Sequence, residues 1–286
     1  MAQEGNWIKW KNEAGKIKRI GDGKEERVFT ISRDFIEEFK KELINTSGES
    51  TFRMIMRKLL EKLGTSPDGD TDVSWEAFAR YNDEQILPAA ADGLPKEYKE
   101  WDGKTRNLVL APDIEMVMWT VKSFRLFKDV MAEVMTEKGA NAIINSTGKK
   151  AGMAIGARFV KYFGWKDLQN ATDTIDGIAQ NMNPAAGWSK GGAVVQKDMI
   201  LLKAWNSYEA EGKKSSIPVC TLTSSLLNGI WNTFAGILAG QSAESREVKC
   251  QAKGDDCCAF AIKIKAKGAP PLDWKELEAE WQALAG

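Results

Sequence analysis

Residues 247–260 read Glu247-Val248-Lys249-Cys250-Gln251-Ala252-Lys253-Gly254-Asp255-Asp256-Cys257-Cys258-Ala259-Phe260, and three of the chain's four cysteines fall inside this stretch. The chain has no histidine. Chemistry that leans on an imidazole, a Ser-His-Asp triad or a Cys-His pair, is therefore excluded, and a metal site has to be built from sulfur and carboxylate. Cys250 and Cys258 stand eight positions apart with Gly254 between them, so a hairpin turn brings two strand-borne thiols to one point. Glu247 adds an oxygen only if a bulge or chain end turns it to the same side, because alternate strand residues face opposite ways. Cys220, at the start of an expected helix, supplies a fourth ligand from a distance.

Three thiolates and one carboxylate make an acceptable tetrahedral zinc site, closed to water and hence structural. The same residues also suit an ordinary core, since free thiols are among the most buried side chains. A reactive or redox reading of the vicinal pair Cys257 and Cys258 meets two objections. Neighbouring thiols on a strand point to opposite faces, and no histidine base is at hand.

Around this stretch the composition is that of a globular chain: 286 residues, 43% hydrophobic and 28% charged. Forty basic residues balance forty acidic ones, so no net field draws the protein to nucleic acid or an anionic membrane. The start, Met1-Ala-Gln-Glu-Gly-Asn-Trp7, lacks the apolar core of a signal peptide, and no run approaches the length of a membrane span. A cytoplasmic location is expected, with reduced cysteines.

The expected organisation has three parts. Residues 1–110 form an α+β extension, 111–268 a small-molecule-binding domain, and 269–286 a C-terminal helix. In the extension, short apolar bursts ending at Val28–Ile31 read as a hairpin or meander, and Ser32 caps a helix with Phe35, Ile36, Phe39 and Leu43 at helical spacing. A second helix runs from about Ser50 to Leu63, and another is expected around Ser74–Ile86. From Pro112 the apolar residues Ile114 to Val134 read as one long helix, broken at Gly139 and resumed at Gly148–Tyr162. A helix near 168–180, strands at 192–195 and 199–205, a helix at 219–238 and strands at 246–252 and 258–265 complete the pattern. The fold class is α+β, with helices packed on an antiparallel sheet.

The pattern Glu-x-x-Cys-x-Ala-x-Gly-x-x-x-Cys-x-Phe, here Glu247, Cys250, Ala252, Gly254, Cys258 and Phe260, resembles the terminal signature of the 4-vinyl-reductase domain family. Upstream, Pro218-Val-Cys220, a helix with Gly229, and Trp205-Asn-Ser-Tyr-Glu-Ala210 are similar to the family's order, so the resemblance spans roughly 111–266. It implies a fold akin to a transport-particle subunit, often dimeric, with a buried pocket for an apolar or aromatic (hydrocarbon-like) ligand. It also implies a zinc held by Cys220, Glu247, Cys250 and Cys258. The family's phenol sensors use a pocket histidine that this chain lacks, and Cys257 stands where another residue type is usual.

The aromatic residues Tyr162, Phe163, Trp165, Trp188, Trp205 and Trp231 are the expected lining of such a pocket. Asp68-Gly-Asp70-Thr-Asp72 lacks the glycine and final carboxylate of a calcium loop, and Gly187-Trp-Ser-Lys-Gly-Gly192 leads into a strand rather than a phosphate-binding helix. Neither a phosphate-binding Gly-x-x-x-x-Gly-Lys motif nor a basic recognition helix occurs. Three functions remain open on the sequence: binding of a small apolar or aromatic molecule in a zinc-pinned domain; an enzyme or enzyme subunit acting on an aromatic or tetrapyrrole-type substrate; and a dimeric assembly or scaffold protein. The expected partners are the ligand and a second copy or an enzyme-complex partner, with no nucleic acid and no membrane.

Overall fold

A computed structural model describes residues 16–18, 25–64, 108–111, 114–185, 187–196, 198–275, 277 and 281. The helix expected at 74–86, the earliest of the short apolar bursts, before residue 16, and the acidic loop at 68–72 lie outside the described residues.

The chain is α+β. Its described elements are β1 (Lys16–Lys18), β2 (Glu25–Ser32), α1 (Arg33–Ser47), α2 (Glu49–Lys62), β3 (Leu108–Ala111), β4 (Ile114–Thr120), α3 (Val121–Met135), α4 (Glu137–Phe163), α5 (Leu168–Ala185), β5 (Lys190–Gln196), β6 (Met199–Trp205), α6 (Thr221–Ala239), β7 (Ser242–Lys249) and β8 (Cys258–Lys265). They build two antiparallel four-stranded sheets, ordered β1-β2-β4-β3 and β5-β6-β8-β7. Because β2 pairs with β4, Phe29 opposite Trp119, the first sheet takes strands from both sides of the boundary expected near Ala111.

Helix α1 starts where Ser32 Oγ accepts from the Phe35 N–H, and it buries Phe35, Ile36, Phe39 and Leu43, the spacing expected of an amphipathic helix. The segment 114–120 differs from expectation: it is a strand, and the helix begins only at Val121. Thr120 marks the change, its hydroxyl accepting from the Ser123 N–H. The break between α3 and α4 falls at Thr136 rather than Gly139, which lies inside α4. Thr136 holds φ 78° and ψ 153°, nearly the backbone of Gly48 between α1 and α2 (φ 85°, ψ 158°). That region is costly for a β-branched residue.

Helices α4 and α6 run parallel in close contact. A Cβ on Gly152 would stand 2.3 Å from the Leu226 carbonyl oxygen, and one on Gly229 only 2.1 Å from that of Lys149. Glycine is required there by backbone approach. Helix α6 then lies against β7, and α5 against β5.

The second sheet separates its faces by strict alternation. Ile200, Leu202 and Ala204 of β6, with Cys258, Phe260, Ile262 and Ile264 of β8, enter the main core, whereas Met199, Leu201, Ala259 and Ala261 form an outer cluster with Cys257. The C-terminal segment, helical at Trp274, Lys275, Leu277 and Trp281, covers that outer face. Among the described residues no helix is long and apolar enough to cross a membrane.

Candidate metal centre

Cys220 is the N-cap residue of α6, Glu247 and Cys250 lie at the end of β7, and Cys258 opens β8. The turn between the strands is a short 3-10 segment, Gln251–Lys253, closed by Gly254 at φ 101°, a conformation that favours glycine. Regular alternation would send Glu247 and Cys250, three residues apart, to opposite faces. Glu247 lies opposite Phe260, on the inner face with Cys258. The register shift between Glu247 and Lys249 sends both Val248 and Lys249 outward, so that this bulge brings Cys250 round to the face of the carboxylate.

One ligand atom from each of Cys220, Glu247, Cys250 and Cys258 lies within 4.8 Å of all the others, and all four residues are buried. The Cys220 and Cys258 sulfurs are 3.5 Å apart. Tetrahedral zinc with Zn–S bonds of about 2.3 Å needs sulfurs about 3.8 Å apart. Only small shifts separate the geometry from coordination.

The surroundings hold these atoms in place. The Gln251 N–H donates to Cys258 Sγ at 3.4 Å, and Ser207 Oγ meets Cys220 Sγ at 3.4 Å. The Cys250 N–H is taken by Asp255 Oδ2 at 2.7 Å, which fixes the turn. Such outer contacts orient ligands and tune their basicity. The Cys220 N–H donates to Glu247 Oε2 at 2.9 Å, placing that carboxylate at the positive end of α6. The other oxygen, Glu247 Oε1, is buried with no hydrogen-bond partner.

An unpartnered carboxylate oxygen facing three thiols, with no lysine or arginine ion-paired to it among the described residues, lacks a cation. Burial pushes the Glu247 carboxyl up to about 8. Hydrogen bonding to Cys250 and Cys258, with burial, pushes the Cys220 thiol up as well, while Cys250 is held down by hydrogen bonds from Cys220 and Cys258. Alone, the cluster keeps most of its protons; a divalent cation would displace them. The donor set and the orphaned oxygen therefore fit a zinc-type ion. Cys257 is not in the cluster, for it faces the outer side of the sheet. Its neighbour Cys258 takes the inner face by alternation.

The six aromatic residues do not stand together. Tyr162, half exposed, meets Phe163 with centroids 5.0 Å apart, and Phe163 stacks on Trp165 at 4.9 Å. Trp165 meets Phe234 at 5.0 Å, and Phe234 meets the fully buried Trp231 at 5.3 Å. This ladder runs from the surface into the core, and its Phe234 was not foreseen; its position three residues after Trp231 was the available signal. The Trp231 Nε1 hydrogen has no partner. Trp188 lies apart, donating to the Thr30 carbonyl at 2.6 Å and lying 6.3 Å from the Tyr208 ring. Trp205 packs on the outer cluster of the second sheet.

The segment 205–210 does more than end a strand. Glu209 is buried and accepts from the Leu222 N–H, the Thr223 N–H and the Thr223 hydroxyl at 3.0, 2.8 and 2.8 Å, holding the first turn of α6 beside Cys220.

No protein-family model matches the sequence, and no curated protein matches it either. Solved structures similar in chain path include the phenol-responsive sensory domain of the transcription activator PoxR with phenol, at 13% identity and TM-score 0.48, covering 64% of this chain and 90% of that one. An H-NOX protein from S. oneidensis in the Fe(II)NO ligation state has 13% identity and TM-score 0.42, covering 82% and 99%. A trafficking protein particle complex subunit 3 from Naegleria fowleri, covalently bound to palmitic acid, has 14% identity and TM-score 0.37, covering 51% and 95%.

Proposed function

We propose that the protein binds a small apolar or aromatic molecule, and that the domain doing so is pinned by a structural zinc on Cys220, Glu247, Cys250 and Cys258. The observation that carries the proposal is the buried cluster of three cysteines and one glutamate with its orphaned Glu247 oxygen, formed by the very residues of the 4-vinyl-reductase-type signature. Zinc there ties the β7–β8 hairpin to the first turn of α6. It supplies folding energy rather than a reactive position, since all four sites are filled by protein.

In this reading residues 111–268 are the binding domain, 1–110 an α+β extension that shares its first sheet, and 269–286 a C-terminal helix; the protein is a cytoplasmic homodimer. The ladder Tyr162, Phe163, Trp165 and Trp231 supports the pocket, because stacked rings leading inward from a half-exposed tyrosine suit a flat apolar guest. Trp188 and Trp205 support it less, each being engaged elsewhere.

The test is tryptophan fluorescence of the zinc-loaded protein titrated with naphthalene and 1-naphthol, alongside solvent extraction of freshly purified protein. Saturable quenching that Trp231→Phe weakens, or a co-purifying apolar molecule, is expected. Absence of both overturns the ligand-binding part and leaves the metal proposal standing.

A further inference from the structure

A second cluster of charged groups lies outside the cysteine site, where β2 and α3 meet the turn after β6. Arg27 of β2 gives one guanidinium nitrogen, Nη2, to the carbonyls of Gly187, Trp188 and Asn206 at 3.0, 3.0 and 2.6 Å. Arg125 of α3 likewise gives Nη2 to the carbonyls of Tyr208 and Glu211. These contacts fix both planes on the 206–211 turn but leave each Nε–H buried and without a partner. The one carboxylate they share is Glu211, whose Oε2 is 3.4 Å from Arg27 and 3.8 Å from Arg125, looser than a charge-assisted hydrogen bond. The Glu211 side chain is 46% exposed against 9% for Arg27, so the acid can leave and the cation cannot.

Two lysines add to the excess. Lys128 lies 3.6 Å from Glu209, whose oxygens are already taken by the first turn of α6. Lys213, two residues beyond Glu211, is half-buried and makes no hydrogen bond or ion pair with any described acid. Burial lowers its pKa, the neighbouring Lys128 and Arg125 lower it further, and Glu209 and Asp129 offset part of this. Buried charge is normally matched. Here Arg27, Arg125, Lys128 and Lys213 stand against Glu211, Glu209 and Asp129, and the acid between the two arginines is the loosely held, exposed one.

We propose that this junction is a binding site for a small oxyanion, a carboxylate or a phosphate, which takes the place of the Glu211 side chain between Arg27 and Arg125 and is closed over by Lys213. Glu211 is the chain's own stand-in, and its swing into solvent vacates the site. The site is separate from the zinc centre and from the aromatic ladder.

The test is calorimetric titration of zinc-loaded protein with inorganic phosphate and with benzoate at constant ionic strength. Saturable binding of at least one probe in the millimolar range or tighter is expected, tightened several-fold in Glu211→Gln, where the competing charge is gone. Lys213→Met should weaken it at least about tenfold, and the exposed Lys214→Met should leave it unchanged. The two probes also separate carboxylate from phosphate as the natural group. No saturable binding of either probe overturns the proposal. Binding that is indifferent to both Glu211→Gln and Lys213→Met, with thermal melts showing the variants folded, overturns it equally.

Discussion

Alanine at Gly229 and alanine at Gly177 are the same chemical change in two helices, and the structure gives them opposite signs. In an open helix position Gly→Ala gains about 1 kcal/mol from backbone entropy. Gly177 of α5 is such a position, exposed and with nothing within 4 Å of the added Cβ. Gly229 of α6 is not: its Cβ would be 2.1 Å from the Lys149 oxygen, 2.8 Å from the Met153 nitrogen and 2.9 Å from Gly152 Cα. Restoring the first of these to an ordinary 3.4 Å requires the helices to part by 3.4 − 2.1, or about 1.3 Å. The neighbours are backbone atoms, so no side chain can swing aside. Overpacking of this kind costs about 3 kcal/mol or more, which outweighs the propensity gain. Gly229→Ala is expected to lose about 2 kcal/mol, a fall of about 5 °C in melting temperature, and Gly177→Ala to rise by about 2 °C. Thermal melts by circular dichroism, checked by urea midpoints, read both. A Gly229→Ala protein that melts at or above wild type would refute the close parallel packing of α4 on α6.

Thr136 occupies glycine-like backbone while its hydroxyl caps α4 by accepting from the Gly139 N–H at 3.2 Å. Thr136→Gly is expected to match wild type or exceed it by up to about 1 kcal/mol, whereas Thr136→Ala, which keeps the strain and loses the cap, should lose about 1 kcal/mol; urea unfolding separates them. In metal-stripped protein the part of the stability that depends on Glu247, read as the difference between wild type and Glu247→Gln, should fall as pH rises from 4.5 to 8. The folded state holds the Glu247 proton that the unfolded state has released, while the lowered Cys250 thiol contributes the opposite slope to both proteins. The metal-loaded protein should show the reverse on the acid side, where protons compete for the ligands; urea midpoints measured across that window read both slopes. Cys257→Ser should retain the metal and Cys258→Ser should lose it, read by elemental analysis of the two purified proteins.

What the sequence made legible was what is local. The alternation of Cys258, Phe260, Ile262 and Ile264 against Ala259 and Ala261, and the helical spacing of Phe35, Ile36, Phe39 and Leu43, state directly which face is buried. Strand β4 was hidden because the apolar run from Ile114 continues without a break into α3, and its pairing partner β2 lies more than eighty residues away. Thr120, with Ser123 three residues on, was the one local mark of the change.

At the cysteine centre, the spacing of Cys250 and Cys258 foretold a hairpin, but the arrival of Cys220 depends on where Glu209 anchors the first turn of α6. The convergence of Cys250 with Glu247 depends on a bulge that no residue type announces. The aromatic residues were the least legible. Ring type alone does not say which face of a strand or helix a side chain occupies, and Trp205 fell on the outer face.

The central claim is that the four buried ligand atoms hold one zinc. Native mass spectrometry of the protein purified without added metal or chelator, with elemental analysis of the same sample, tests it most directly. One zinc per chain, at a mass showing that protons were released on binding, and its loss in Glu247→Ala and Cys258→Ser, is the predicted result. A metal-free wild-type chain that remains metal-free when titrated with zinc, while folded and with all thiols reduced, would contradict it.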